Sequence, residues 1–174
     1  DKIAQLTQFS NYPISSEVGL IIVYSLISSA LGLPLSYYST FKIEQAFGFN
    51  KMTLGLFIKD LIKGTLLGLI IGVPLLYLVM WLMNSLGATW WLWVWGVMVI
   101  FNLLILTIYP TFIAPLFNKF TPLEDLELKA RIETLLSECG FKSQGVFVMD
   151  GSKRSSHGNA YFTGLGASKR IVFF

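Results

Sequence analysis

Two long uncharged stretches organise the chain. Residues 18–41 run for 24 positions without a charged side chain, and residues 64–118 run for 55. A helix needs about 20 apolar residues to cross a bilayer core. The first stretch therefore predicts one membrane span, and the second predicts two joined by a hairpin at 84–89. The expected spans are about 18–41, 64–83 and 90–113. Asn11-Tyr12-Pro13 disfavours helix just before the first span, and Gly32 and Pro34 predict a kink within it. Gly64, Gly68 and Gly72 recur every four residues, share one helix face, and predict a seam where another helix approaches closely. Trp90, Trp91, Trp93 and Trp95 open the third span. Tryptophan concentrates at the headgroup level, so this cluster reads as an interfacial belt rather than a ligand cage. Asn84 and Asn102 are accounted for by hydrogen bonds between helices.

Beyond Asn118 the pattern changes. Thr121-Pro122-Leu123-Glu124 has the form of a capping box with proline at the first helical position. Leu128, Ile132, Leu135, Leu136 and Cys139 follow at helical spacing on one face, and Gly140 is placed to end that helix. Short strands are expected at 146–149, 159–163 and 170–174, with the glycine-rich 163–168 joining the last two as a hairpin. The fold class is thus mainly α and membrane-embedded: about three transmembrane helices (1–118), then a small α+β segment with a β-hairpin (119–174).

Composition sharpens this. The chain is 54% hydrophobic and 13% charged, with a mean hydropathy of +0.64; soluble domains carry about 25% charged residues. If three spans cross, residues 1–17 and the hairpin share a side that holds only Lys2. The other 12 of the 13 basic residues lie on the opposite side. The positive-inside rule places that side, including 119–174, in the cytoplasm. The inner membrane of a bacterium is the preferred location, and an endoplasmic reticulum membrane satisfies the same bias. The net charge of +3 has no basic helix or base-stacking platform beside it, so nucleic acid is not an expected partner; the lipid bilayer is.

Catalytic chemistry is sparse. One histidine, His157, and one cysteine, Cys139, exclude an intrachain disulfide and a thiolate metal cluster. H-E-x-x-H, C-x-x-C, Walker and G-x-S-x-G patterns are absent, and a catalytic zinc takes three protein ligands. His157 reads as a solvated or hydrogen-bonding loop residue. Lys153 and Arg154 read as a solvated basic turn or a weak attractor of anionic headgroups. No catalytic and no metal-binding residue is assigned.

The segment Asp150-Gly151-Ser152-Lys153-Arg154-Ser155-Ser156-His157-Gly158-Asn159-Ala160-Tyr161-Phe162-Thr163-Gly164 is distinctive. It resembles the stretch preceding the zinc-binding helix in the CAAX prenyl proteases, integral membrane metalloproteases that cut prenylated peptides. Phe47-Gly48-Phe49-Asn50 with Lys51 and Thr53, Ile113-Ala114-Pro115-Leu116-Phe117-Asn118, Pro122-Leu123 and Lys169-Arg170-Ile171-Val172 are similar to the same family. The resemblance runs from about Tyr12 onward and implies an earlier span missing from this chain. It also implies an H-E-x-x-H helix beyond Phe174, zinc as cofactor of the complete protein and none held by residues 1–174, and a prenylated or other membrane-associated peptide as substrate. It implies further that the strand beside the zinc helix pairs with extended substrate, which makes Asn159, Ala160 and Tyr161 the expected substrate-side residues. Otherwise Asn159 fixes a turn and Tyr161 or Phe162 fills the core. The reading is a portion of a membrane zinc endopeptidase, inactive by itself. The alternative is a non-enzymatic membrane scaffold built on the glycine seam.

Overall fold

In the computed structural model, residues 13–164 and 169–174 are described; Lys2 and part of the expected 163–168 turn lie outside them. Helix α1 (Pro13–Tyr38) opens the chain with proline in its first turn and continues through Pro34 into a π-helical turn, Ser39–Glu44. Helix α2 covers Leu54–Ser85, a 3-10 turn Gly87–Thr89 follows, and helix α3 covers Trp90–Ile108. A π-helical turn, Tyr109–Ile113, and one α-turn, α4 (Ala114–Phe117), end the third span. Pro110 and Pro115 lack the N–H that an α-ladder requires. The wider turn accommodates them, with the Ala114 N–H donating to the Tyr109 carbonyl. Three candidate spans result: Ile14–Glu44, Leu54–Ser85 and Gly87–Phe117.

The helices overlap the expected spans but run longer. Charge positions mark where the apolar run begins, not where helix begins. Lys59, Asp60 and Lys63, which fall between the expected spans 18–41 and 64–83, lie on the first turns of α2. Their stems can lie along apolar surface with the heads in the polar layer. The apolar side chains surround each helix rather than forming a stripe. Leu31, Leu35, Ile70 and Ile100 are each about 70% exposed, an arrangement water would penalise and lipid tails satisfy. The protein is an integral membrane protein.

The described residues divide into two compact units. The first comprises residues up to Glu44 with Leu54–Val99, and the second Gln45–Thr53 with Ile100–Phe174. In the first, Tyr37, Phe41 and Phe57 cluster with ring centroids 4.9–6.5 Å apart and join the end of the first span to the start of α2. Gly64, Gly68 and Gly72 do not form the expected close seam: a Cβ placed on any of them meets nothing within 4 Å. Gly68 and Gly72 instead border a cleft of about 280 Å³ shared with Ser25 and Ser29 of α1. Asn84 also departs from expectation. Its amide donates to the Met80 carbonyl one turn back on its own helix, at 3.0 Å, because that acceptor is within reach without a second helix.

In the second unit, the expected capping box at Thr121–Glu124 is replaced. Residues Phe120–Pro122 form strand β1, antiparallel to β2 (Val146–Met149). Asp125 is the N-cap of helix α5 (Leu126–Glu138), and its carboxylate accepts from the Leu128 N–H at 2.9 Å. Asp caps as well as Thr does. Pro122 sits on an edge strand, where a missing N–H is tolerated. Gly140, with φ +65°, ends α5 as expected. The Phe141 N–H reaches the Leu136 carbonyl and the Gly140 N–H reaches Ser137, a Schellman closure. Strands β3 (Ala160–Thr163) and β4 (Arg170–Phe173) pair antiparallel. The sheet order is β1-β2-β4-β3, with β2 and β4 parallel. Val146 and Val172 are buried at its centre.

Candidate functional site

The distinctive 150–164 segment leaves the end of β2 and returns as β3, anchored at every step within the second unit. Asp150 starts it. Its carboxylate accepts from the Lys119 N–H at 2.7 Å and from Lys153 Nζ at 2.6 Å, and its own N–H donates to the Lys119 carbonyl. Burial alone would raise the carboxyl's pKa. The Lys153 and Lys119 hydrogen bonds and the charges of Lys153 and Arg154 outweigh it and hold Asp150 below its ordinary value of 3.8. Gly151 follows in a tight place: a Cβ there would lie 3.1 Å from Phe174 Cβ and 3.3 Å from Met149 Cε.

Arg154 is not the solvated residue expected from the sequence. Its guanidinium donates to Asn118 Oδ1 and to the Phe117 carbonyl, so it clamps the exit of the third span. Its carbonyl accepts from the Lys51 N–H at 3.0 Å, and Ser156 N–H donates to the Phe49 carbonyl at 2.9 Å. Asn50 and Ser155 form an isolated bridge. The His157 ring lies on Phe49, centroids 4.1 Å apart. Gly48 makes the turn that allows this. At φ +76° its N–H donates to the Gln45 carbonyl, a conformation that side-chain-bearing residues rarely adopt. The Phe47-Gly48-Phe49-Asn50 and Asp150–His157 segments are thus two halves of one lock, about a hundred residues apart in sequence.

Beyond the lock lies β3, which with β1 is one of the two edge strands of the sheet among the described residues. Asn159 and Phe174 exchange both backbone hydrogen bonds, at 2.8 and 2.9 Å. Antiparallel alternation then turns the backbone of Tyr161 toward Val172 and that of Ala160 and Phe162 outward. The Ala160 N–H is taken by Asn159 Oδ1 at 2.8 Å. The Ala160 carbonyl and both Phe162 backbone groups remain to face a partner. The Phe162 side chain is 75% exposed and meets the Phe141 ring edge-on at 5.9 Å. Of the expected residues, Ala160 turns its backbone to this edge, whereas the backbones of Asn159 and Tyr161 are turned inward to Phe174 and Val172, and Asn159 reaches the edge only through its Oδ1 on the Ala160 N–H. Phe162, expected from the sequence only as a core filler, turns to this edge with Ala160, as the two-residue period of a strand requires. The Tyr161 hydroxyl contacts Met149 Sδ at 3.9 Å. Burial, then Tyr109, push its pKa above the ordinary phenol value, partly offset by Arg170.

Among the described residues, no three His, Cys, Asp or Glu side chains are placed to hold a metal. The described residues thus supply no ligand set for the zinc that the resemblance assigns to the complete protein. What they present is the outward-turned backbone of Ala160 and Phe162 on β3.

Comparison with known proteins gives consistent results. Residues 1–119 match a family model described as the CAAX prenyl protease N-terminal region with five membrane helices. Residues 122–174 match peptidase family M48. The chain is 50% identical over 151 residues to CAAX prenyl protease 1 of Saccharomyces cerevisiae, covering 86% of this chain and 33% of that protein. It is 41% identical over 163 residues to the human CAAX prenyl protease 1 homolog, covering 94% and 34%. The crystal structure of S. mikatae Ste24p superposes with a TM-score of 0.91 at 44% identity, covering 99% of this chain and 42% of that one. The chain spans about a third of the length of the curated relatives it matches.

Proposed function

Because this chain belongs to the CAAX prenyl protease family within the M48 metallopeptidases, we propose that the protein is a membrane zinc endopeptidase that cleaves prenylated or other membrane-associated peptides. Residues 1–118 supply helices of its membrane region. Residues 119–174 form the start of its protease domain on the cytoplasmic side, with zinc held outside the described residues. The relatives named above come from eukaryotes, which supports an endoplasmic reticulum membrane over a bacterial inner membrane.

The observation that carries the proposal is the outer edge of β3, which no other strand pairs among the described residues, seated on a locked loop. An extended peptide adds to such an edge through main-chain hydrogen bonds, with side-chain pockets setting preference. Ala160 and Phe162 offer those groups. Asn159 holds the first of them through its amide, and Tyr161 anchors the strand to β4 while its ring supports the sheet face beneath.

The test uses the full-length protein and a prenylated peptide. Cleavage is expected to stop with a chelator. Phe162→Pro removes one outward N–H without touching a β3–β4 ladder bond, and is expected to lower kcat/KM about tenfold, the worth of one hydrogen bond. Phe162→Leu should stay near wild type. Residues 1–174 alone are expected to be inactive; chelator-sensitive cleavage by that fragment, or full activity in Phe162→Pro, would overturn the reading.

A further inference from the structure

The sheet register places Phe147, Val172 and Tyr161 in one row, so Arg170, two residues from Val172, shares their face. The Arg170 guanidinium lies 4.7 Å from the Phe120 ring centroid and 5.7 Å from that of Phe147. Two aromatic rings therefore flank it. Its Nε and one terminal nitrogen, Nη2, are buried and have no hydrogen-bond partner among the described residues. The ion pairs described lie elsewhere, between Lys129 and Glu133 and between Lys153 and Asp150.

This is an unusual state for a guanidinium. Burial, partly offset by Tyr161, holds its pKa below the ordinary value, yet arginine does not lose its proton in proteins. A buried charge with unbonded N–H groups is a standing cost unless an acceptor arrives. The two unpaired nitrogens define the ligand. Nε and Nη2 form the side of the guanidinium fork, whose two parallel N–H bonds match the two oxygens of a carboxylate in one plane. Rings lie against its flank and both edge nitrogens lie below the accessible surface, so a carboxylate reaches this edge either from a side chain packed against it or as the adjoining side chains part.

We propose that Arg170 is a carboxylate-docking site. The carboxylate comes either from the C-terminus of a bound peptide or from an acidic side chain in the rest of the protein. The inference stands on the packing of the second unit; only its peptide arm rests on the peptidase reading.

The test compares full-length wild type with Arg170→Met, which keeps length and packing, and Arg170→Lys. Thermal stability is followed at pH 7 and pH 4. Binding of a fluorescent prenylated peptide, as free acid and as C-terminal amide, is read by anisotropy with chelator present. If the peptide supplies the carboxylate, Arg170→Met weakens the acid at least tenfold, spares the amide, and leaves the unliganded Tm unchanged or raised. If the protein supplies it, Arg170→Met lowers Tm by several degrees at pH 7, and the gap narrows at pH 4, where carboxylates but not phenols titrate. Acid and amide then change alike, and Arg170→Lys recovers part of the loss. An unchanged acid-to-amide ratio together with an unchanged, raised or pH-independently lowered Tm overturns the proposal. Failure of both peptides to bind wild type would count against the peptidase reading, and the Tm comparison alone would then decide the role of Arg170.

Discussion

At the scale of single residues, the 150–157 segment carries the most structural information. Its recognition value was legible in the sequence; its physical role was not. Asp150, Arg154, Ser156 and His157 act on partners 31 to 108 positions away, and no local pattern encodes such pairs. Lys153 and Arg154 look alike in sequence, yet one bonds its near neighbour Asp150 and the other clamps Asn118 and Phe117. The depressed Asp150 carboxyl has a consequence for pH. A folded-state pKa below the unfolded one adds stability above the ordinary carboxylate range, and this is lost as pH falls through that range and below it. Amide exchange at Lys119 and Asp150 is therefore expected to accelerate, beyond its intrinsic pH dependence, between pH 5 and about pH 3. Asp150→Asn should remove most of that extra change. Equal profiles for the two proteins would argue against the Asp150 contact. Gly48, at φ +76°, gives a second expectation. Gly48→Val strains the turn and is expected to destabilise the lock by about 1–3 kcal/mol, read as faster proteolysis within Gln45–Thr53.

At the scale of elements, periodicity and punctuation served well where one element's own sequence decides its state. The three spans, the end of α5 at Gly140 and the strands near 146, 160 and 170 were all legible. Strand β1 was not, because Phe120–Pro122 is short, contains proline, and is a strand only through its pairing with β2. Two of these residues, Thr121 and Pro122, read locally as the entry to a helix, and tertiary pairing decided otherwise. The cap therefore lies at Asp125. Asp125→Ala is expected to cost about 1 kcal/mol in thermal or denaturant unfolding, whereas Thr121→Ala, which leaves the cap intact, should cost clearly less. The glycine ladder makes the opposite point. Spacing alone suggested a tight helix contact, but Gly68 and Gly72 border open space. In the 174-residue chain Gly68→Ala is expected to leave thermal stability in detergent unchanged or slightly raised, since alanine favours helix over glycine by about 1 kcal/mol. A loss of several degrees would mean that the seam is closed by a second copy or another helix.

At the scale of the whole molecule, the decisive quantity is how charge is distributed relative to apolar length. Burial cannot explain the three long helices, because their side chains are mostly exposed and apolar; the bilayer must supply the missing environment. The proposed orientation rests on 12 basic residues against one. Although Lys59 and Lys63 turn out to be helical, they lie on the first turns of α2, next to the segment expected on the cytoplasmic side, so the bias is unaffected. The single cysteine provides a direct test. Cys139 is exposed at the end of α5, in the part proposed to face the cytoplasm. In sealed microsomes, whose outer face is the cytoplasmic one, a membrane-impermeant maleimide is expected to label Cys139 of the 174-residue chain without detergent. In a Cys139→Ser background, a cysteine placed at Ser85, where α2 meets the hairpin, should be labelled only after permeabilisation. The reverse pattern would invert the topology and put β3 on the lumenal side. Labelling of both sites in intact vesicles would mean that an even number of spans separates them, which one crossing by α3 does not allow.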